Sequence, residues 1–156
     1  MPDVKIGHMC VPVPEGFEVV SREDRSRMNF IREGDGEVLR NNDKHIVLSI
    51  ACKKYNALLA ALAGTKDAVK SMEKQVASAM APYAYVLDTF AAEDLGGKTA
   101  EAFQYHYTAQ EIPMSGISMI LKVGGIHYYV HAYYRTQLQE ESRAILQDIC
   151  HGISWE

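Results

Sequence analysis

The stretch from Phe103 to Tyr134 constrains the fold most, because it predicts three consecutive antiparallel strands, the last two joined by a two-residue glycine turn. Gly124 and Gly125 lie between two β-rich runs, and paired glycines supply the positive φ angles that such turns require. If one cross-strand pair beside the turn is known, every later pair keeps the same sum of residue numbers. The predicted pairs on one face are Val123 with Ile126, Leu121 with Tyr128, Met119 with Val130, and Ile117 with Ala132.

The two faces of this predicted hairpin differ in chemistry. The face described above is almost wholly apolar, which predicts that it faces the core. The opposite face mixes aromatic rings with hydrogen-bonding groups, so we expect it to remain partly exposed. Its predicted pairs are Lys122 with His127, Ile120 with Tyr129, Ser118 with His131, and Gly116 with Tyr133.

Short strands are predicted in the first third of the chain. Two glycines and four Asp or Asn residues at Gly34–Lys44 predict a long surface loop. The nearly continuous apolar run at His45–Cys52 predicts a strand covered on both faces. The other predicted elements are a first strand at Val4–Val13, a turn at Pro14–Gly16, and a hairpin of Phe17–Val20 with Met28–Ile31.

Helical periodicity begins in the middle of the chain. Apolar residues at helical spacing predict one helix over Tyr55–Gly64 and a second that begins at Thr65 and ends at Pro82. A closing helix is predicted from a capping-box pattern at Thr136 and Gln139, with Gly152 as its left-handed terminal residue. The remaining predictions are a strand at Tyr83–Phe90, a turn at Asp94–Lys98, and packing of Ile153–Trp155 against the sheet.

This order of elements predicts an α+β fold, because strands and helices do not alternate strictly as they do in a doubly wound parallel sheet. The sequence contains no repeat or linker that divides it, so residues 1–156 are predicted to form a single domain.

Bulk composition narrows the classes of partner. The net charge of −4 and the lack of a basic stripe argue against a nucleic-acid partner. Apolar runs such as Ala57–Gly64 are far shorter than the roughly 20 residues of a membrane-spanning helix, so no integral membrane segment is predicted. The first residues lack the pattern of a secretory signal, and Cys10, Cys52 and Cys150 lack the spacing of a disulfide framework or zinc site. We therefore expect a cytoplasmic protein with reduced thiols.

Four motifs resemble the PsbP-like superfamily, which includes Mog-type Ran-binding import factors, DcrB-like bacterial proteins and Eag-type chaperones. The motifs are VPVPEGF at Val11–Phe17, DLGGKTA at Asp94–Ala100, GGIHYYV at Gly124–Val130, and the closing helix that ends in ICHGISW. They are signatures of strands and turns, and they span nearly the whole chain. The resemblance implies a central antiparallel β-sheet of about six strands flanked by helices, an α-β-α sandwich. It also implies a function in binding other proteins, without shared catalytic residues.

Two possible metal sites have simpler interpretations. His127 and His131 point to the same face of a strand but are about 13 Å apart, too far for one ion bound at distances near 2.0–2.1 Å. The segment Gly34–Glu37 has acidic residues and glycines, but it does not follow the ligand spacing of an EF-hand. We therefore expect no metal and no cofactor.

The predicted function is protein binding. Neither a catalytic motif nor a nucleotide-binding motif occurs, so we expect a non-enzymatic adaptor or chaperone that binds another protein or peptide. Tyrosine suits both a packed sheet and a recognition surface, and the tyrosines of the meander are open to either interpretation. The alternative function is a small-molecule binder or hydrolase with a pocket lined by Tyr and His between sheet and helices. The predicted partner-binding residues are Ile120, His127, Tyr129, His131 and Tyr133.

Overall fold

The computed structural model of the chain describes residues 3–25, 35–54 and 65–156. This part contains ten strands and three α-helices, with 3₁₀ turns at Ala81–Tyr83 and Thr136–Leu138. The helices are α1 (Arg22–Arg25), α2 (Thr65–Met80) and α3 (Gln139–His151). The strands are β1 (Asp3–Ile6), β2 (Met9–Pro12), β3 (Glu18–Val19), β4 (Asp35–Asn41), β5 (Ile46–Lys54), β6 (Val86–Leu95), β7 (Lys98–Ala109), β8 (Ile112–Val123), β9 (Ile126–Arg135) and β10 (Ser154–Trp155).

Two antiparallel sheets organise the fold. The main sheet has seven strands in the order β3-β4-β5-β9-β8-β7-β6, and a smaller sheet has the order β1-β2-β10. The predicted α+β class with an antiparallel sheet flanked by helices is therefore confirmed. The main sheet has one strand more than the six expected, because the predicted loop at Gly34–Lys44 contains β4.

The register of the predicted hairpin is confirmed along its full length. Val123 pairs with Ile126 beside the turn, and the pairing continues to Gly116 with Tyr133. Gly124 and Gly125 have φ angles of 54° and 78°, as a two-residue turn of this hand requires. Because side chains alternate along each strand, this register decides which residues face each helix.

One face of the main sheet packs against α3 and the smaller sheet. Tyr128, Val130 and Ala132 of β9 lie in this core cluster with Leu146 and Ile149 of α3. The C-terminal strand also joins it, since Trp155 pairs with Met9 and donates its indole N–H to the Leu95 carbonyl at 2.8 Å. The predicted packing of the C-terminus against the body of the protein is confirmed.

The opposite face packs against α2. Val69, Met72 and Met80 of this helix form a second core cluster with aromatic residues of β7 and β9. The helix begins at Thr65 as predicted, and Pro82 lies in the 3₁₀ turn that follows its end. The main sheet is thus a middle layer with apolar contacts on both sides.

Two predictions for the N-terminal third are wrong. Val4–Val13 is not one strand, because the chain reverses at Gly7, whose φ of 58° allows a tight turn between β1 and β2. Gly34–Lys44 is not a continuous surface loop, because β4 pairs with β5 on one side and with β3 on the other. Val38 and Leu39 are buried there, so long-range pairing outweighs the local preference of glycine and asparagine for turns.

The ends of the closing helix also differ from the prediction. Leu138 precedes α3 without a side-chain cap, and the Thr136 hydroxyl is hydrogen-bonded to Ser115 at 2.9 Å. Gly152 has a φ of −81°, a right-handed conformation, because the chain continues directly to β10. The predicted strand at Met28–Ile31 and the predicted helix at Tyr55–Gly64 lie outside the described residues. No helix within those residues is long and apolar enough to cross a membrane.

Candidate functional site

The five predicted partner-binding residues lie on the α2 side of β8 and β9, but two of them are in the core. Ile120 is 3% exposed and Tyr133 is 7% exposed. Both belong to the cluster beneath α2, which packs over β7 and β8. The expected exposure of these two side chains is therefore wrong, because the helix covers the surface that the sequence left open.

His127, Tyr129 and His131 form a half-buried row along β9 on that same face. The Tyr129 hydroxyl lies 3.4 Å from Nδ1 of His127, and the two rings meet edge to face. Burial, together with the neighbouring Lys122 charge, holds the pKa of His127 below its usual value. These three residues offer area and hydrogen-bonding groups, and their role in partner binding remains a prediction.

A buried polar network joins His131 to the neighbouring strands. Its Nδ1 shares a hydrogen bond of 2.7 Å with the Ser118 hydroxyl, which is also 3.1 Å from the Tyr105 hydroxyl. Burial raises the pKa of Tyr105 to about 12. A serine beside a histidine can act as a nucleophile, but Ser118 is 0% exposed and its hydroxyl already contacts two partners. The network therefore satisfies buried polar groups between sheet and helix.

Gly116 makes room for this network. A Cβ atom at Gly116 would lie only 2.4 Å from the Tyr105 ring, so the absence of a side chain lets the ring lie across β8. Tyr105 is fully buried and lies among the rings of Tyr85, Phe103 and Tyr107, at centroid distances of 5.3 to 6.1 Å. Most tyrosines of the meander are therefore packing residues.

The possible metal ligands and the three cysteines can be assessed in the described part of the chain. It contains no group of three or more His, Cys, Asp or Glu side chains arranged to hold a metal ion. Cys10, Cys52 and Cys150 form no disulfide with one another. Burial raises the pKa of the Cys150 thiol to about 12, which makes a thiolate at that position unfavourable near neutral pH.

The outer edge of β6 is a candidate binding surface that the sequence did not predict. This strand is the last of the main sheet, and no strand of the described residues pairs with its outer edge. Val86 is 58% exposed and Phe90 is 42% exposed, which is unusual for large apolar side chains in this protein. The ladder to β7 is irregular between Leu87 and Thr89. At this bulge the Asp88 carboxylate contacts Nδ1 of His106.

A sequence signal for this edge exists. A strand between two neighbours carries apolar residues on both faces, whereas β6 carries Asp88, Glu93 and Asp94 distributed over both faces. The sequence VLDTFAAEDL therefore has the composition of an edge strand. The prediction ended the strand at Phe90, so the second half of this pattern was assigned partly to the following turn.

Comparison with known proteins supports the fold. No protein-family profile and no curated protein matches the sequence. Among solved structures, the chain is similar to the cyanobacterial PsbP protein CyanoP of Synechocystis, with a TM-score of 0.69, 13% identity, and coverage of 96% of this chain and 87% of that chain. It is also similar to LpqN, a protein involved in cell envelope biogenesis of Mycobacterium tuberculosis, with a TM-score of 0.63, 10% identity, and coverage of 98% and 88%.

A third similar structure is a protein of Bacteroides thetaiotaomicron, with a TM-score of 0.62 and 12% identity. The match covers 96% of this chain and 45% of that chain. Similarity at such low identity concerns the fold alone. The PsbP-like fold that the four sequence motifs predicted is therefore confirmed.

Proposed function

We propose that this chain is a non-enzymatic binding module that acts as an adaptor or chaperone for another polypeptide. The PsbP-like fold supports the proposal, and the Mog-type, DcrB-like and Eag-type branches of that superfamily are the kinds of protein we expect it to resemble in function. The proposal places the protein in the cytoplasm, which microscopy of a fluorescent fusion tests directly.

The observation that carries this proposal is the open edge at β6. Val86 and Phe90 keep large apolar areas in water beside that edge. Apolar area that stays exposed on a folded monomer is favourable to bury against a partner. Hydroxyl and imidazole groups of the His127, Tyr129 and His131 row supply a second, more polar surface on the α2 side of the sheet.

Capture from native extract tests the proposal. We expect the immobilised protein to recover a specific partner, and we expect the double variant Val86→Ser/Phe90→Ser to lose it. A single aromatic anchor buried by a partner typically contributes about 2 kcal/mol or more, so the loss should be about thirtyfold or greater. Val19→Ser is the matched control, because Val19 is 46% exposed but lies at the opposite edge of the main sheet.

Two results would count against the proposal. One is recovery of the protein alone under conditions that preserve weak complexes. The other is equal loss of the partner in the Val19→Ser control, which would point to a general effect on solubility. Thermal unfolding of each variant in parallel shows whether the fold is retained. Val86→Ser should change the stability little because Val86 is 58% exposed, whereas Phe90→Ser should lower it because that ring also packs against Phe103.

The alternative function is a small-molecule binder or hydrolase with a site lined by Tyr and His. The contact between Ser118 and His131 favours it, whereas the burial of Ser118 and of Tyr105 beneath α2 does not. Hydrolysis of simple aryl esters that disappears in Ser118→Ala, in a variant that remains folded, would support the alternative over the binding module.

A further inference from the structure

We propose that the open edge of β6 binds an extended, positively charged segment of the partner by strand addition. This inference rests on the proposed function and specifies the mode of binding and the chemistry of the segment. The added segment would become the eighth strand of a sheet that has seven in this structure. Three independent features of β6 lead to this assignment.

The first feature is the direction of the backbone groups. Gly96 and Gly97 have φ angles of 61° and 90°, which are typical of a two-residue type I′ turn. In such a hairpin the closing pair, Leu95 and Lys98, exchanges two hydrogen bonds, and hydrogen-bonded pairs then alternate along the ladder. The amides of Phe90, Ala92 and Asp94 consequently point away from β7, toward the open side.

The second feature is the position of the bulge. The register shifts between Leu87 and Thr89, and the Asp88 carboxylate is held by His106 of β7. A bulge twists an edge strand and stops regular pairing, which protects the first part of β6 from added strands. The continuous ladder therefore runs from Thr89 to Leu95, and this is the segment on which a partner strand can pair.

The third feature is charge. Asp94 is exposed, Glu93 is partly exposed, and Glu101 of β7 lies directly opposite Ala92 on the neighbouring strand. No Lys, Arg or His of the described residues forms an ion pair with any of these three carboxylates, whereas Asp88 contacts His106. A segment with lysine or arginine near these carboxylates would complement them.

The same charges make a second copy of the chain an unsuitable occupant. A second copy of β6 would add the carboxylates of Asp88, Glu93 and Asp94 to the edge without any Lys, Arg or His of β6 to neutralise them. Like charges that face one another across strands are destabilising. The other edge of the main sheet, β3, has only two residues, so it offers a much shorter ladder than β6.

The exposed ring of Phe90 indicates that the added segment also carries an apolar side chain. Its ring packs against Phe103 at a centroid distance of 6.0 Å, with the two ring planes tilted by 53°, and the residue remains 42% exposed. A branched or aromatic side chain on the added strand would cover it as a cross-strand neighbour does in a sheet. Phe90, Ala92 and Asp94 share one face of β6, with Glu101 beside Ala92. The inferred ligand is therefore an extended strand that carries an apolar residue and a basic residue on the same face, at positions of the same parity.

Two synthetic peptide libraries test this inference. Both contain short extended peptides with a varied apolar residue and, four positions away on the same face, lysine in one library and glutamate in the other. We expect the lysine library to bind the intact protein and the glutamate library to bind at least about tenfold more weakly. On binding, hydrogen exchange should slow at Phe90, Ala92 and Asp94, the amides that point outward.

Variants at Ala92 isolate the backbone contribution. Ala92→Pro removes an outward N–H without removing a bond to β7, so we expect a folded protein that binds the lysine library about tenfold more weakly. Ala92→Val is the matched control, because it keeps the amide and favours a strand. Glu101→Lys should reduce the preference for the lysine library, because it replaces one of the three carboxylates with a cation.

The outcomes separate this inference from the proposed function. Peptide binding that leaves exchange at β6 unchanged, or that Ala92→Pro does not weaken, overturns strand addition but leaves the binding module in place. Failure of both libraries to bind overturns the basic-strand inference, and capture of a partner that depends on Val86 and Phe90 then decides the proposed function by itself. Equal binding of the two libraries overturns the charge argument alone.

Discussion

Gly116→Ala tests whether the tyrosine network sets the stability of the sheet. A methyl group at this position would lie 2.4 Å from the Tyr105 ring, well inside van der Waals contact. The ring cannot move aside easily, because it is fully buried and packs against Tyr85, Phe103 and Tyr107. We therefore expect the substitution to force both the ring and β8 out of position.

The magnitude follows from three contributions. Overpacking of a filled core typically costs about 1–3 kcal/mol. Displacement of the ring also breaks the hydrogen bond of 3.1 Å between Tyr105 and Ser118, which adds about 1 kcal/mol. Replacing glycine with alanine within a strand should by itself stabilise by about 0.5–1 kcal/mol, because the unfolded chain loses freedom. The free energy of unfolding should fall by about 1–3 kcal/mol.

Urea denaturation followed by fluorescence measures this change, and a double-mutant cycle identifies its cause. In the background of Tyr105→Leu, which removes the ring edge that the new methyl group would meet, Gly116→Ala should be neutral or stabilising. The coupling between the two sites should then be about 2 kcal/mol. A Gly116→Ala variant as stable as the wild type, or an equal loss in the Tyr105→Leu background, would refute the reasoning.

Three further predictions concern the turns and the titrating groups. Gly96→Ala should destabilise the protein by several kcal/mol, because the new Cβ would lie 2.0 Å from the Ile153 carbonyl oxygen. In Gly97→Ala the new Cβ has no atom within 4 Å, so this variant should cost only about 1 kcal/mol of backbone strain. Thermal unfolding of the two variants compares these costs. Burial raises the pKa of Tyr105 to about 12, so its contribution to the unfolding free energy is complete below pH 10 and should decline as the pH rises toward 12. Denaturation of Tyr105→Phe across that window should show a smaller decline, and an equal decline would contradict the assignment. Burial lowers the pKa of His127. Its contribution to the free energy of unfolding is therefore present above the ordinary pKa of 6.5 and should diminish as the pH falls through the lower pKa of the folded state. The variant His127→Gln should flatten that pH dependence.

The sequence predicts the meander well because its register has a local origin. Two glycines determine the turn, and alternation then assigns each residue to a face over two long strands. The loop prediction at Gly34–Lys44 fails for the opposite reason. Local composition there is rich in turn formers, but β4 gains its hydrogen bonds from β5 and β3, which lie elsewhere in the sequence. Long-range pairing of this kind leaves little trace in a single window of residues.

The candidate site shows the same division. The sequence identifies the face that carries Ile120, His127, Tyr129, His131 and Tyr133, but it does not show which part of that face a helix covers. Helix α2 packs over β7 and β8, so Ile120 and Tyr133 become core residues while Tyr129 is only partly buried. Both faces of the hairpin carry enough apolar area to pack, and only the position of the helix distinguishes them.

The position of β6 at the edge follows from the partner that β5 selects. A four-stranded meander has two outer strands, β6 and β9, and either could pair with β5. Strand β9 reads IHYYVHAYYR and carries bulky side chains on both faces, which suits a strand between two neighbours, and it pairs with β5. Strand β6 carries carboxylates on both faces, which would be costly to bury between two strands. Those carboxylates explain why β6 remains at the edge, and the same charges make a basic segment the partner that an open edge of this composition would select.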